Sequence, residues 1–499
     1  MKNIIIIGSG LGGLIAGNLL AKKGHKVTIF ESHSMPGGYT AGFYRKGHYF
    51  ESGTLSFESS ASVFKAMKDI GVFEKIDFVK QRMRFVSEDY DGIPEDFNEY
   101  KDMIYSGFPR DKEKLDLFFS DLEKMDFLMG DVNEPMPFLY NGFKMLKSMI
   151  PYILSAPKMM KLSKQYGDMT SSEFALKYFE KDTKLLKLFS GFGYPDMSAM
   201  FVGAALSGIF TDYWTVKGGM QSWADILAEN FKNLGGDLKL NSYVDRIITK
   251  NGAAVGISCD NVIYNADNVI SAGDYKKTML QLLDDKHLIP KTLQDKINRS
   301  AVSEGFFTVY LALNMSNEML GDYMKIPHVF TFDDIAGCDI YNSEDDEFFS
   351  KTSISLYSPS MVNPKHSPEG KSSLMVQTLV PYHWMGNWGD GDKKEYMRLK
   401  EGAMNTIIDR ASSLIPNLKD CIEYKEAATP LTYERYTHNS DGATSSWSWN
   451  PKKKFYNNSM SVNIDTPVKN LYIGSCWAMQ IGGVPGAIAA AYTCSNKIK

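Results

Sequence analysis

Residues 2 to 7 read as a short buried strand, in which Ile4 to Ile7 run apolar without alternation. A glycine-rich turn follows, and Leu11, Leu14, Ile15 and Leu19 then recur at the three-and-four spacing of a helix. Lys26 to Glu31 predicts a second strand, so the first thirty residues form one β-α-β unit. From about 60 to 210 the chain changes character: methionine and aromatic residues mix with lysines at helical spacing, and no glycine-rich turn recurs. At Lys217 the earlier style returns. Gly218-Gly219 precedes a helix with the stripe Met220, Trp223, Ile226, Leu227, Phe231 and Leu234, ended by Gly235-Gly236. Short strands around Leu238, Val244, Val255 and Val262, punctuated by Asn251-Gly252 and Asp260-Asn261 and closing on Asn268 to Gly273, predict a β-meander. Alternating runs such as Phe306 to Leu313 and Ser373 to Val380 make residues 300 to 440 sheet-rich. Asn470 to Ile473 is a last strand before a glycine loop and a helix of small residues.

Composition narrows this picture. At 499 residues, 43% of them hydrophobic, the chain is long enough for two or three globular units. Its 55 basic against 59 acidic side chains lack the excess that a nucleic-acid binder needs. Five cysteines, far apart and without a C-x-x-C, give neither a disulfide framework nor a metal site and fit a reducing compartment. The uncharged run Ile4 to Ala21 looks superficially like a targeting segment, but five glycines inside it would each cost a helix about 1 kcal/mol relative to alanine.

Those glycines have a chemical explanation. Gly8-Ser-Gly10-Leu-Gly12-Gly13 fits G-x-G-x-x-G between a strand and a helix: the first glycine permits a tight turn, the second lets backbone approach a pyrophosphate, and the third lets helix and strand pack. Glu31 ends the second strand, where a carboxylate accepts hydrogen bonds from a ribose hydroxyl. A glycine turn that merely packs strand on helix does not account for Glu31. Pro36-Gly37-Gly38 follows, a second place where backbone can come close to a cofactor or substrate, and then Gly47 to Gly53.

This stretch, the Trp214 to Met220 segment with its meander, and the terminal Asn470-Leu-Tyr-Ile-Gly474-Ser-Cys-Trp-Ala-Met-Gln-Ile-Gly482-Gly483-Val-Pro485-Gly486 together resemble the phytoene desaturase-like flavoproteins. That family includes carotenoid desaturases, carotenoid cis–trans isomerases and retinol saturases. The resemblance implies FAD held in a glutathione-reductase-type Rossmann domain, an α/β fold, with an inserted mixed α/β substrate domain. The FAD domain is then discontinuous, over 1–60, 215–300 and 441–499, with a helical substrate- or membrane-facing part over 61–214 and a sheet-rich part over 301–440. It further implies that Gly8, Gly10 and Gly13 meet the pyrophosphate, with Gly12 in the same cofactor-binding loop, Glu31 the adenosine ribose, and Val244 the adenine through its backbone. Gly37 and Gly38 lie along the cofactor, Gly474 and Ser475 meet the ribityl-phosphate region, and Gly483, Val484 and Gly486 approach the isoalloxazine. Ser475 stands where many members carry aspartate and leaves a hydroxyl for one hydrogen bond.

A flavin supplies the electron chemistry, so the protein need only orient a substrate and exclude competing reactions. No protease, P-loop or hydrolase motif is present, the eight histidines are scattered, and no metal site is expected. Tyr213, Trp214, Trp477 and Gln480 are candidates for lining the substrate site, against the alternative that they are ordinary core residues. His383-Trp384 and Arg435-Tyr436 read better as structural residues, and Cys476 as a small apolar filler. The expected activity is desaturation or saturation of carbon–carbon double bonds in a hydrophobic polyene or isoprenoid. Alternatives are redox-neutral cis–trans isomerisation by reduced FAD, amine oxidation, and a non-catalytic prenyl-lipid binding protein. Residues 135 to 167 hold no acidic residue and five lysines, Lys144, Lys147, Lys158, Lys161 and Lys164, among many apolar ones. Pro151 and Pro157 predict two or three short helices there, which lie in an anionic membrane interface or cover their own core. A cytoplasmic protein that docks on the cytoplasmic face of a membrane is expected.

Overall fold

Ile4 to Ile7 form the middle of a five-stranded parallel sheet because a strand apolar on both sides can be satisfied only with helices on both faces. The computed structural model describes residues 1–126, 134–332, 335–342 and 344–499. Across the sheet the order is Leu471–Ile473, Asn268–Ser271, Asn3–Ile7, Lys26–Phe30 and Asp237–Lys239. Ile5 pairs with Val269 on one side and Thr28 on the other. The helices Leu11–Lys22, Met220–Asn233 and Gly483–Lys497 pack beside it.

The meander is smaller than the sequence suggested. Its strands are Val244–Lys250, Ala253–Cys259 and Val262–Asn265, antiparallel throughout. Asn251-Gly252 and Asp260-Asn261 all have positive φ, as two-residue hairpin turns of the type I′ class require. The segments around Leu238 and Asn268 instead join the parallel sheet, because each pairs with a strand of the opening β-α-β unit.

A second, seven-stranded sheet carries the sheet-rich region. Its order is Ile422–Ala428, Gly305–Leu313, Ser372–Val380, Ile354–Tyr357, His328–Thr331, Arg84–Val86 and Asp91–Gly92. The last two come from the segment read as helical, which therefore extends this sheet as well as packing its own apolar cluster around Phe118, Phe189 and Phe210. The prolines do not divide residues 142 to 166: Gly142–Tyr166 is one 25-residue helix with Pro151 and Pro157 inside it. Each proline forgoes one backbone donor, and the helix continues through both.

One buried carboxyl fastens the strand His48–Glu51 to the helix Met220–Asn233. Tyr49 O–H donates to Glu51 at 2.7 Å, and Met220 N–H, the first of its helix, donates to the same carboxyl at 3.1 Å. Neither Gly42 nor Gly219 has room for a Cβ, because the Tyr49 ring is wedged between them. Burial pushes the Glu51 carboxyl up to about 8. The native state therefore binds this proton more tightly than the unfolded chain, and the associated stability is whole below about 4.5 and lost as pH rises to about 8. Glu51→Gln, which mimics the neutral acid, is expected to flatten that part of the pH dependence of thermal unfolding. An unchanged slope would rule out Glu51 as its source.

Candidate functional site

Two helices begin side by side at the carboxyl ends of parallel strands, the position where open α/β sheets hold ligands. The first, Leu11–Lys22, has Gly10 as N-cap, no side-chain cap and no acidic residue in its first turn. Its leading N–H groups and positive dipole end are free to face an anion. Gly8 turns with φ +95°, and its N–H donates to Phe30 O at 2.7 Å. Gly37 N–H donates to Ser9 O at 3.0 Å, bringing Pro36-Gly37-Gly38 against the first glycine loop, with Gly37 bridged to Gly10 and Gly38 close to the Gly10 Cα. The glycines serve different ends. A Cβ on Gly12 would run into the Gly474 carbonyl oxygen, and one on Gly13 into that of Gly8. A Cβ on Gly10 would meet nothing within 4 Å.

Glu31 does more than the sequence disclosed. One carboxylate oxygen accepts from both Ser9 N–H and Ser9 O–H at 2.7 Å; the other accepts from His33 N–H at 2.9 Å and Ser32 O–H at 3.1 Å. Buried at the strand end, it staples the glycine loop. These four donors use the whole accepting capacity of a carboxylate, so any further hydroxyl would have to displace one of them. Ser242 N–H donates to Glu31 O at 2.7 Å, and this brings the start of the strand holding Val244 alongside. Glu31→Ala is expected to weaken FAD binding by roughly 1.5–3 kcal/mol and to lower the unfolding temperature of the FAD-free protein, because the buried Ser9 N–H loses its acceptor. FAD titration and a thermal melt check the two effects separately.

The terminal block closes the site. Gly474 N–H donates to Ser271 O at 2.8 Å, and Ser475 O–H donates to Gly273 O at 2.7 Å, so the serine hydroxyl is a tie within the loop. Gly483–Lys497 is the second uncapped helix, again without an acidic residue in its first turn. Val484 sits in that turn, partly buried against the sheet's apolar cluster, and Gly486, two residues on, packs close to Cys476. Gly482 lies so close to Ser445 and Ser446 that no side chain fits. Burial pushes the Cys476 thiol up to about 12, which leaves it unreactive.

From Glu31 and Gly38 a cavity of about 1050 Å³ runs toward the seven-stranded sheet. Tyr39, Phe43, Tyr310, Trp388, Tyr433 and Tyr436 supply its aromatic wall. Tyr39 stacks on Tyr433 with ring centroids 5.7 Å apart, and its O–H donates to Gly442 O at 2.8 Å. Tyr213, Trp214, Trp477 and Gln480 are not on this wall. Trp214 N–H is bonded to Asp212 and its ring packs on Phe64; Trp477 N–H is bonded to Asn439; Gln480 accepts from Phe455 and Tyr456 N–H and donates to Ser448 O. Their polar atoms are used in holding loops together. Tyr213 is half-buried, its ring 6.1 Å from that of His328. Arg435 and Tyr436 do line the cavity, while Trp384 is buried and donates to Asp345 O. Beyond His383, residues 385 to 388 form a left-handed turn that brings Asn387 and Trp388 to the wall, a conformation no pattern of residue types announces.

A profile of the family described as flavin containing amine oxidoreductase matches residues 11–499. All-trans-retinol 13,14-reductase of Danio rerio is 26% identical over 99% of this chain and 85% of its own length. The chloroplastic prolycopene isomerase of Daucus carota is 24% identical over 88% of this chain and 71% of its own. The 4,4'-diapophytoene desaturase (4,4'-diapolycopene-forming) of Methylomonas sp is 24% identical over 91% and 88%. Among solved structures, an oxidoreductase from Methanosarcina mazei superposes with a TM-score of 0.65 at 15% identity, covering 99% of this chain and all of that one, a likeness of fold.

Proposed function

The chain belongs to the flavin containing amine oxidoreductase family and is an FAD-dependent oxidoreductase of its phytoene desaturase-like group, and we propose that it acts on carbon–carbon double bonds of a hydrophobic polyene or isoprenoid. The observation that carries this reading is similarity along almost the whole chain to three relatives named for retinol reduction, prolycopene isomerisation and diapophytoene desaturation. The aromatic wall suits an extended apolar molecule. FAD is the cofactor, and it supplies hydride and electron transfer when bound.

The chain's own residues bind and orient. Gly8, Gly10, Gly12 and Gly13 with the helix behind them would hold the pyrophosphate with Gly37 and Gly38 beside it, Glu31 would hold the loop and the ribose, and Val244 would meet the adenine. Gly474 and Ser475 would adjoin the ribityl phosphate, and Gly483, Val484 and Gly486, at a helix N-terminus, would favour the negative charge that a reduced flavin carries. Tyr39 and Tyr433 border the cavity next to Gly38, where they exclude water from an apolar substrate.

Turnover of all-trans-retinol and of a carotenoid polyene by the FAD-reduced enzyme under anaerobic conditions, with and without an external electron acceptor, tests this reading. Product formed only with net electron transfer supports desaturation or saturation. Turnover without it gives the isomerase reading, which the prolycopene isomerase relative favours. No product from any polyene would sink both.

Delivery of such a substrate assigns a role to Gly142–Tyr166. Only Leu162 and Tyr166 of this helix are buried, while Phe143, Leu146, Ile150, Ile153, Leu154 and Met160 are each at least half exposed. The apolar side therefore does not cover a core. We assign it to reversible docking on an anionic membrane from the cytoplasmic side. No helix among the described residues is long and apolar enough to cross a membrane.

A further inference from the structure

The cavity that runs from Gly38 has two kinds of lining. Tyr310, Trp388, Ala427, Ala428 and Tyr433 are buried and make its interior apolar. Lys393 and Arg435 line it too, yet both are exposed, so they stand where it opens to solvent. Lys400, half-buried, belongs to the same lining. A long apolar molecule in this space has its chain among rings and one end among cations.

The charged groups of the lining are unequally engaged. Arg45 is paired with Glu426 at 3.3 Å, and Glu31 is met by four donors at the cofactor end. Asp225 accepts from the Gln221 amide at 2.8 Å, and because that amide also donates to Pro36 O at 3.1 Å, Asp225 stays beside the second glycine turn. Asp392 is turned onto its own helix as the N-cap, accepting from Lys394 N–H at 2.7 Å and Glu395 N–H at 3.3 Å. Lys393, Lys400 and Arg435 remain. Among the described residues none of the three has an ion-pair partner.

Two helices bring these cations together. Lys393, Tyr396 and Lys400 follow at steps of three and four, so they share the face that the helix Lys393–Leu414 turns to the cavity. Thr432 and Arg435, three apart, do the same on the helix Pro430–Thr437. The two faces touch where the Tyr396 hydroxyl lies 3.1 Å from Thr429 Oγ1 and 3.4 Å from Thr432 Oγ1. Each of the three cations is one helical turn from that contact. Lys400 Nζ lies 5.8 Å from the centre of the Tyr396 ring, and the Arg435 guanidinium 4.6 Å from that of Tyr436. Both rings line the cavity, so these charges sit on its wall.

We propose that the substrate carries an anionic oxygen group, a carboxylate or a phosphate ester, at one end of its apolar chain, and that Lys393, Lys400 and Arg435 receive it; the inference rests on the carbon–carbon reading above. Such a head accepts several charge-assisted hydrogen bonds at once, from the ammonium groups as point charges and from the guanidinium as a planar fork. An alcohol of the same chain accepts fewer and carries no charge. With the head held at the opening, the chain runs inward past Tyr433 toward Tyr39 and Gly38. The distance from the head then selects which double bond stands at the cofactor end. A hydrocarbon without a head lacks that register.

Equilibrium binding to the FAD-loaded enzyme, read by quenching of tryptophan fluorescence, tests the head group without turnover. All-trans-retinoate and all-trans-retinol share one chain and differ only at its end. Geranylgeranyl diphosphate and geranylgeraniol, read by displacement of the bound retinoid, put the same question to a phosphate. The wild type is expected to bind the anion of at least one pair roughly tenfold more tightly than its alcohol at low salt, with the margin shrinking as salt rises. In the variant carrying Lys393→Gln, Lys400→Gln and Arg435→Gln that margin is expected to vanish while retinol binds as before. These side chains make no ion pair, so the variant is expected to keep its melt and its flavin spectrum. The pair with the larger margin tells whether the head is a carboxylate or a phosphate. Equal affinity for anion and alcohol in both pairs, or a preference that survives in the variant, overturns the proposal. A preference lost in the variant, but with no turnover of any of the four by the FAD-reduced enzyme, overturns the carbon–carbon reading and leaves the head-group site standing.

Discussion

Purified Gly10→Val is expected to fold and to hold no FAD. Gly10 has φ −63° and ψ 174°, a conformation that valine adopts without strain, and its Cβ points into space with nothing within 4 Å. In the FAD-free protein the substitution touches no packed atom. In the proposed FAD site that space is where the pyrophosphate would approach the uncapped helix, and a branched side chain would hold it off. Losing two charge-assisted hydrogen bonds from backbone N–H groups removes roughly 3–6 kcal/mol of binding. Flavin absorbance after reconstitution is expected to be absent, with circular dichroism and the melt of the FAD-free protein unchanged. Gly12→Ala is the informative contrast. Its Cβ would overlap the Gly474 carbonyl, and neither backbone can retreat without breaking the bond from Gly474 N–H to Ser271 O. It is expected to destabilise the FAD-free protein by about 1–3 kcal/mol, seen as an earlier melt. A Gly10→Val enzyme that retains FAD would mean that this loop is not the pyrophosphate site.

That contrast marks where sequence reading stops. The opening β-α-β unit, the helix from Met220 and the terminal strand were legible because their apolar periods are short, local and closed by glycines. What the pattern could not tell was partnership. Asp237–Lys239 reads like one more meander strand, and only its pairing with Thr28 to Phe30 assigns it to the parallel sheet. The continuous helix through Pro151 and Pro157 defeated the usual breaker rule. At the site, the glycines and Glu31 were visible because their chemistry is sequence-local. Trp477 and Gln480 looked like lining residues by proximity to glycines, yet their polar atoms are spent on Asn439, Ser448, Phe455 and Tyr456, partners far along the chain.

Replacing Lys144, Lys147, Lys158, Lys161 and Lys164 with glutamate is expected to abolish binding to anionic vesicles. At 3.6 residues per turn Leu146, Ile150, Ile153 and Pro157 fall on one stripe of the helix Gly142–Tyr166, and Lys147, Lys158 and Lys161 fall along one margin of it. Lys147, Lys158 and Lys161 therefore do not sit opposite the apolar residues, as a helix covering its own core would have them. They flank an exposed apolar stripe, the arrangement in which a helix lies flat with its apolar side among acyl chains and its amines at the headgroups. Each lysine near an anionic surface contributes about 1 kcal/mol, so charge reversal at five positions swings the electrostatic part by roughly 10 kcal/mol, more than the apolar stripe can offset. Co-sedimentation with vesicles containing phosphatidylserine is expected to recover the wild type at low salt, less of it as salt rises, and none of the variant. Because these side chains stand away from the cofactor loops, the variant is expected to keep its flavin spectrum and its melt. Equal recovery of both proteins, or no recovery of the wild type at low salt, ends the docking reading and leaves the exposed stripe to a protein partner.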